Sequence, residues 1–146
     1  MKLLTKAILF ATTIVTANVQ ASNEPIAMAC TLTNGKNVIV GVIDGQWRYY
    51  FGKSDKPEMT IVGERHFKGD VEETTKGTAT QIRVTNGEYN YVLYSAAFTN
   101  GESNLLGVFK GDKQITSMKC KGSFVINYNL VNQLPTDPDS YNFMPF

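Results

Sequence analysis

The stretch that decides the fold reads Ile82-Arg83-Val84-Thr85-Asn86-Gly87-Glu88-Tyr89-Asn90-Tyr91-Val92-Leu93. A type I′ turn needs positive φ at both central residues, and Asn-Gly adopts this conformation at little cost, so Asn86-Gly87 predicts a hairpin tip. Counting outward from a two-residue tip pairs Thr85 with Glu88, Val84 with Tyr89, Arg83 with Asn90 and Ile82 with Tyr91. One face of the hairpin is then apolar (Ile82, Val84, Tyr89, Tyr91, Leu93) and the other is polar (Arg83, Thr85, Glu88, Asn90). Turn chemistry and alternation therefore both predict an antiparallel hairpin.

The first residues of the chain predict export. Lys2 and Lys6 form a short basic head, residues 7–19 are mostly apolar, and Val19 and Ala21 are small residues placed as in a cleavage site. A membrane anchor needs roughly 20 apolar residues, and this run is shorter and interrupted by polar residues. We expect cleavage near Ala21 and a periplasmic or secreted mature chain without an integral membrane segment.

Cys30 and Cys120 are the only two cysteines. In an oxidising compartment an even count of cysteines favours a disulfide, so we expect these two residues to be bonded and to tie the first strand to the last. Closing a loop of this length is worth about 4–5 kcal/mol in the chain-entropy model.

Further tight turns predict a meander of strands. Asn34-Gly35 and Asp44-Gly45 predict the tips that join the first three strands. Counted from the second tip, Val42 faces Trp47, which predicts that Trp47 lies in the core. The apolar alternation slips between Leu93 and Phe98, and a β-bulge at residues 95–97 would restore the register.

These patterns together predict an all-β domain of eight antiparallel strands. We expect a closed barrel, because closure removes exposed strand edges, with a two-sheet β-sandwich as the alternative. The predicted organisation is a signal peptide (1–21), a barrel domain (22–122) and a short C-terminal extension (123–146). Within the extension, residues 124–134 predict either a short helix or a ninth strand, ended by Pro135.

Two segments are candidates for contact with a partner. Residues 64–77 form the longest polar connection, which is either a solvated loop or a recognition loop. Its candidate contact residues are Arg65, His66, Phe67 and Lys68. The second candidate is the aromatic end of the chain, with Tyr141, Phe143 and Phe146.

The residues of the chain give little indication of catalysis. His66 is the only histidine, and no Gly-x-Ser-x-Gly or similar nucleophile signature accompanies it. A zinc site needs several His or Cys ligands, and we expect both cysteines to be in a disulfide. Of 14 basic residues, Lys2 and Lys6 leave with the signal peptide, so 12 remain against 13 acidic ones, without a basic patch for nucleic acid. We therefore expect no metal, no cofactor and no enzymatic activity.

The segment Cys30-Thr31-Leu32-Thr33-Asn34-Gly35-Lys36, the strand meander and the terminal cysteine pair resemble the periplasmic and membrane-bound inhibitors of c-type lysozyme. The resemblance covers roughly residues 28–121; the Ser-Gly-x-x-Tyr signature of that family is not present. It implies an eight-stranded barrel that blocks a wall-degrading enzyme. Periplasmic immunity proteins are similar in size and export. The expected function is a non-enzymatic inhibitor or immunity protein whose protein partner acts on peptidoglycan; the alternatives are an envelope accessory protein and an unrecognised periplasmic hydrolase.

Overall fold

The computed structural model describes residues 25–146, and the predicted signal peptide lies outside these residues. The described chain forms two five-stranded antiparallel sheets, in the orders β10-β1-β2-β3-β4 and β5-β6-β7-β8-β9. The strands are β1 (Ile26–Thr31), β2 (Asn37–Ile43), β3 (Gln46–Lys53), β4 (Lys56–Val62), β5 (Phe67–Thr74), β6 (Gly77–Asn86), β7 (Tyr89–Phe98), β8 (Gly101–Lys110), β9 (Lys113–Lys119) and β10 (Val125–Ile126). The described residues also contain one short helix, α1 (Tyr128–Val131), and 3-10 turns at Glu64–His66 and Ser140–Phe143.

The two sheets share one apolar core, as in a β-sandwich. Alternate residues of each strand point inward, so Val40 and Tyr49 of the first sheet meet Ile82 and Leu93 of the second. Residues 123–146 also contribute to this core, through Phe124, Leu130, Val131 and Leu134. The segment predicted as an extension therefore supplies both a strand and buried side chains.

The hairpin at Asp44-Gly45 has the predicted register. Both residues have positive φ, 55° and 76°, as a type I′ turn requires. Val42 pairs with Trp47, whose side chain is 7% exposed. The prediction that Trp47 lies in the core is confirmed.

The pairing predicted for the hairpin at Asn86-Gly87 is wrong by two residues. Asn86 pairs with Tyr89, so the two-residue loop is Gly87-Glu88. Gly87 has a φ of 64° and Glu88 does not have positive φ, which matches a type II′ turn with glycine at its first central position. A shift of two residues moves each partner but leaves every side chain on its predicted face. Ile82 and Val84 are accordingly buried in the core.

The closed eight-stranded barrel is also wrong, since residues 25–146 form ten strands in two sheets. A closed barrel would need β9 along the free edge of β1, but β10 pairs with that edge instead. Among residues 25–146, main-chain hydrogen bonds join the β9 segment to the first sheet only where β9 ends, at the bridge between Cys120 and Leu32 and beside it. The alternative prediction of two sheets is the one that the structure bears out.

The predicted disulfide is confirmed. Cys30 of β1 is bonded to Cys120, which directly follows β9. The predicted bulge at residues 95–97 is absent, because β7 pairs with β6 and β8 without a shift there. The alternation slips for another reason: Tyr94 and Ala96 are buried on the outer face of the second sheet, which the end of the described chain covers.

Candidate partner-binding surface

Residues 64–77, predicted as one long polar loop, are mostly a strand. A 3-10 turn at Glu64–His66 links the two sheets, and β5 then pairs with β6 from Phe67 to Thr74. The segment alternates, with Phe67 and Val71 directed to the core and Asp70 and Glu72 directed to the outer face. Charged residues on one face of an edge strand stay solvated while the other face is buried, so a high charge content does not exclude a strand.

The four candidate contact residues at its start do not form one exposed surface. Phe67 is 1% exposed, and its ring centroid lies 6.0 Å from that of Trp47 in the core. His66 is half-buried, with Nδ1 2.9 Å from the carbonyl oxygen of Thr85. Lys68 is half-buried on the outer face beside Arg83, and of the four residues only Arg65 is exposed.

The second candidate segment lies across the outer face of the second sheet. We call residues 135–146 the strap. At its start the strap adds to the edge of β5, where Gly69 N–H donates to the Pro135 carbonyl at 2.9 Å and Asp137 N–H donates to the Gly69 carbonyl at 3.1 Å. A side chain on Gly69 would crowd Val131 and Leu134, so glycine permits α1 and the residues just before the strap to pack closely against β5.

A buried ion pair anchors the strap. Arg83 Nε and Nη2 donate to the two carboxylate oxygens of Asp137 at 2.8 and 2.9 Å, and Nη1 donates to Asn90 Oδ1 at 3.0 Å. The Phe143 ring lies over the guanidinium, 4.2 Å from its centroid to Arg83 Cζ. Burial alone would raise the pKa of Asp137, but the hydrogen bonds from Arg83 and from the Asp139 N–H hold that pKa below its ordinary value.

Hydrogen bonds to the strap continue across the sheet. Gln81 Nε2 donates to the carbonyls of Ser140 and Phe143, at 3.2 and 3.4 Å. At the far edge, Gln114 Nε2 and Ser117 Oγ donate to the Phe146 carbonyl at 2.8 and 3.0 Å. Strands β5, β6 and β9 thus hold successive parts of the strap.

The strap buries the ring of Phe143 and presents three other large apolar side chains to solvent. Phe143 packs edge-on against Phe109, with ring centroids 5.4 Å apart. By contrast, Tyr141 is 71% exposed, Met144 is 41% exposed and Phe146 is 88% exposed. We call these three residues the exposed ridge. Of the aromatic candidates predicted in this segment, Tyr141 and Phe146 are therefore accessible and Phe143 is an anchor.

Tyr141 is exposed but held in place. Its hydroxyl donates to Glu72 Oε2 at 2.9 Å, and this hydrogen bond to a carboxylate raises the pKa of Tyr141. Because Glu72 belongs to β5, the ring stands over the sheet edge. Fixed aromatic side chains bury apolar area at a low entropic cost when a partner binds.

One cavity adjoins the strap's end, and a second cavity adjoins the first. A trough of about 390 Å³ lies on the outer face of the β7–β8 hairpin, with Phe98 on one side and Pro145 and Phe146 on the other. A notch of about 300 Å³ lies where β9 leaves β8, between Glu102 and Lys119. Both cavities contact Glu102 and Ser103, so they adjoin each other along β8.

Sequence reasoning missed Arg83, Gln81 and Asp137 as the residues that position this surface. The alternation places Arg83 and Gln81 on the outer face, but Asp137 lies 54 residues from Arg83 in the chain, and no local pattern links the two. One feature of the sequence points to this contact: an aspartate lies on each side of Pro138, and either carboxylate could pair with an arginine on the face of a sheet.

Metal-binding clusters and membrane-spanning helices are both missing from the described part of the chain. Between residues 25 and 146, no three His, Cys, Asp or Glu side chains converge so that they could hold a metal ion. No helix in this range has the length and apolar character needed to cross a membrane. Comparisons of the chain with protein-family models, with curated proteins and with solved structures give no match.

Proposed function

We propose that this chain is an exported, non-enzymatic binding protein that inhibits an enzyme acting on the cell wall, and that the exposed ridge is its contact surface. The observation that carries the proposal is the contrast within the strap. Buried anchors at Asp137 and Phe143 hold it in place, and Tyr141 and Phe146 are nevertheless largely exposed. Aromatic residues and methionine are enriched at protein interfaces, and exposed apolar clusters often mark them.

Export is supported by two features of the chain. The disulfide between Cys30 and Cys120 is consistent with an oxidising compartment outside the cytoplasm. The predicted signal peptide agrees with it. An inhibitor of a periplasmic or secreted wall-degrading enzyme has to reach that compartment.

The choice of a wall-degrading enzyme as partner comes from the resemblance to lysozyme inhibitors. The segment that carries the resemblance forms the end of β1 and the turn into β2, and its cysteine is bonded to the end of β9. The open pair of sheets differs from the closed barrel that the resemblance implies. The resemblance therefore supports the class of partner and not a particular enzyme.

Hydrolysis of purified peptidoglycan tests the proposal. The oxidised mature chain is added to reactions containing either a c-type lysozyme or a periplasmic extract with its own wall hydrolases. We expect hydrolysis to slow in at least one reaction, in proportion to the amount of chain added. Unchanged hydrolysis in both would contradict the proposal, and hydrolysis by the chain alone would identify it as an enzyme.

The matched variants separate the ridge from the rest of the surface. Tyr141→Ala and Phe146→Ala remove exposed rings without touching the core. Val125→Ala is the control, because Val125 is 69% exposed on β10, away from the strap. We expect the two ridge variants to inhibit more weakly than the control.

A further inference from the structure

Strand β8 is longer than β9, which pairs with one of its two edges. β9 pairs with β8 from Lys110 to Leu105, and its last paired residue is Lys119. The chain then turns toward β1, where Lys121 N–H donates to the Thr31 carbonyl at 2.8 Å. Residues 101–103 of β8 therefore pair with β7 on one side and, in the described chain, with no strand on the other.

The main-chain groups of Glu102 face this open side. In an antiparallel strand, successive residues direct their N–H and C=O groups to opposite neighbours. Cys120 N–H donates to the Asn104 carbonyl at 3.0 Å, so Asn104 faces the β9 side. Glu102, two residues away, directs its N–H and C=O the same way. An edge of this kind is a template for one more strand.

The cavities beside this edge could receive the side chains of an added strand. A strand continuing the line of β9 would run through the notch, and its alternate side chains would point over the trough. Phe98 and Phe146 offer apolar surface there. Lys119 and Glu102 both line the notch and place opposite charges beside it. An extended peptide is complementary to these features when its apolar side chain lies over the trough and its carboxylate lies beside Lys119 and away from Glu102.

Two of the other sheet edges are protected against strand addition. The exposed β4 edge begins with Lys56, Pro57 and Glu58, and charged residues and proline discourage strand addition. The β5 edge is already occupied at Gly69 by the strap. The edge at Glu102 contains no proline and is not paired with the strap, and its one charged side chain, that of Glu102, accepts a hydrogen bond from Ser123 Oγ at 2.8 Å.

We propose that the β8 edge at Glu102 binds an extended segment of the partner protein by strand addition, with an apolar side chain over the trough and a carboxylate beside Lys119. Main-chain hydrogen bonds supply affinity in this mode, and alternate side chains supply specificity. The inference rests on the proposed binding function, because the trough is continuous with the exposed ridge through Phe146.

A proline at position 102 tests the edge directly. Glu102→Pro removes the N–H that faces the open side and leaves the hydrogen bonds between β7 and β8 intact. It also removes the carboxylate bonded to Ser123, so Glu102→Ala is the matched control: it loses the side chain and keeps the N–H. Circular dichroism and thermal unfolding of the oxidised proteins establish that both variants fold.

The probe is a phage-displayed library of random peptides of roughly ten residues, long enough to form a strand. Peptides are selected on the oxidised native chain, synthesised and titrated. We expect peptides that combine an acidic and an apolar residue, bind Glu102→Ala as they bind the native chain, and bind Glu102→Pro about tenfold or more weakly, as for loss of a main-chain hydrogen bond left unpaired. Hydrogen exchange at the Glu102 amide of the native chain should slow when such a peptide binds, which does not depend on any variant folding.

Two outcomes would overturn the strand-addition site. One is that the selection yields no peptide. The other is that the selected peptides bind Glu102→Pro as tightly as the native chain and do not protect the Glu102 amide. These results leave the proposed function separately testable. If Tyr141→Ala weakens inhibition of a wall hydrolase while Glu102→Pro does not, the inhibitor function stands and the strand-addition site fails.

Discussion

Arg83 and Asp137 form a bidentate ion pair beneath the strap, with oxygen–nitrogen distances of 2.8 and 2.9 Å. The pair joins the middle of β6 to a segment 54 residues later, and both side chains are almost fully buried. Removing one partner of a buried pair leaves an uncompensated charge or polar group, whereas replacing both by apolar residues can be nearly neutral. The pair therefore determines where the strap lies more than it determines total stability.

Removing the charge of one partner of this pair should destabilise the fold. We expect Asp137→Asn to lower the free energy of unfolding by about 3 kcal/mol or more, and the double variant Arg83→Met/Asp137→Leu to recover much of that loss. Urea unfolding of the oxidised proteins measures both. Glu58→Gln is the control, because the Lys36–Glu58 pair is partly exposed and should contribute about 1 kcal/mol or less. Equal losses for Asp137→Asn and Glu58→Gln would contradict the role given to the buried pair.

The ionisation of Asp137 should make the stability of the fold depend on pH. The pKa of Asp137 is lower in the folded chain than its ordinary value of 3.8. A depressed folded pKa means that the stability contributed by the charged group is fully present above the unfolded pKa and is lost as pH falls through the folded pKa. We expect the stability difference between the native chain and Asp137→Asn to be constant from neutral pH to about pH 5, and to shrink below about pH 4. A difference that stays constant down to pH 2 would argue against this ionisation.

A substitution at Gly107 tests how closely the other end of the strap packs on β8. A Cβ built on Gly107 would lie 2.6 Å from Pro145 Cβ and 3.0 Å from a Phe109 ring atom. Gly107→Ala should therefore push the strap off β8 and destabilise the protein by about 1–3 kcal/mol, as overpacking does. Gly122→Ala is the control, since a Cβ on Gly122 would meet no atom within 4 Å. The measurement is thermal unfolding, with proteolysis near residue 145 as evidence of strap release; resistance equal to that of Gly122→Ala would be the opposing result.

Phe67 and Arg65, two of the first candidate contact residues, should now behave differently. Phe67→Ala removes a fully buried ring beside Trp47 and should cost about 3–5 kcal/mol. Arg65→Ala changes an exposed side chain and should cost within about 0.5 kcal/mol. Urea unfolding followed by Trp47 fluorescence measures both, and similar small effects for the two variants would mean that the segment is a loop after all.

The disulfide should stabilise the fold without being required for it. Replacing both cysteines, Cys30→Ala/Cys120→Ala, should lower the free energy of unfolding by a few kcal/mol, about 4–5 at most. The two sheets keep their shared core in this variant, so circular dichroism should remain that of a β protein. A variant that no longer folds would show that the bridge contributes more than loop closure.

The local features of the fold could be predicted from the sequence, because turns and alternation act over a few residues. Asp44-Gly45 determined the partner of Trp47 correctly, and the faces of Ile82 and Arg83 were right although their partners were not. What could not be predicted depends on distant contacts. β10 closes the edge of β1, and the strap covers Tyr94 and Ala96, which made the alternation of β7 look irregular.

The candidate site was only half predictable for the same reason. Tyr141 and Phe146 stand out by composition, since aromatic rings are conspicuous in an extended, proline-containing segment. Their exposure, however, depends on Arg83 and Gln81 holding the strap across the sheet. Hydrogen bonds between residues more than fifty positions apart leave no periodic trace in the sequence.

The central claim is that the exposed ridge contacts the partner enzyme. The most direct test measures the inhibition constant against a sensitive peptidoglycan hydrolase for the native chain and for Tyr141→Ala/Phe146→Ala. If the exposed ridge is the contact surface, the double variant should inhibit at least about tenfold more weakly, a loss of about 1.4 kcal/mol, while Val125→Ala inhibits as the native chain does. Equal inhibition by the native chain and the double variant would contradict the account.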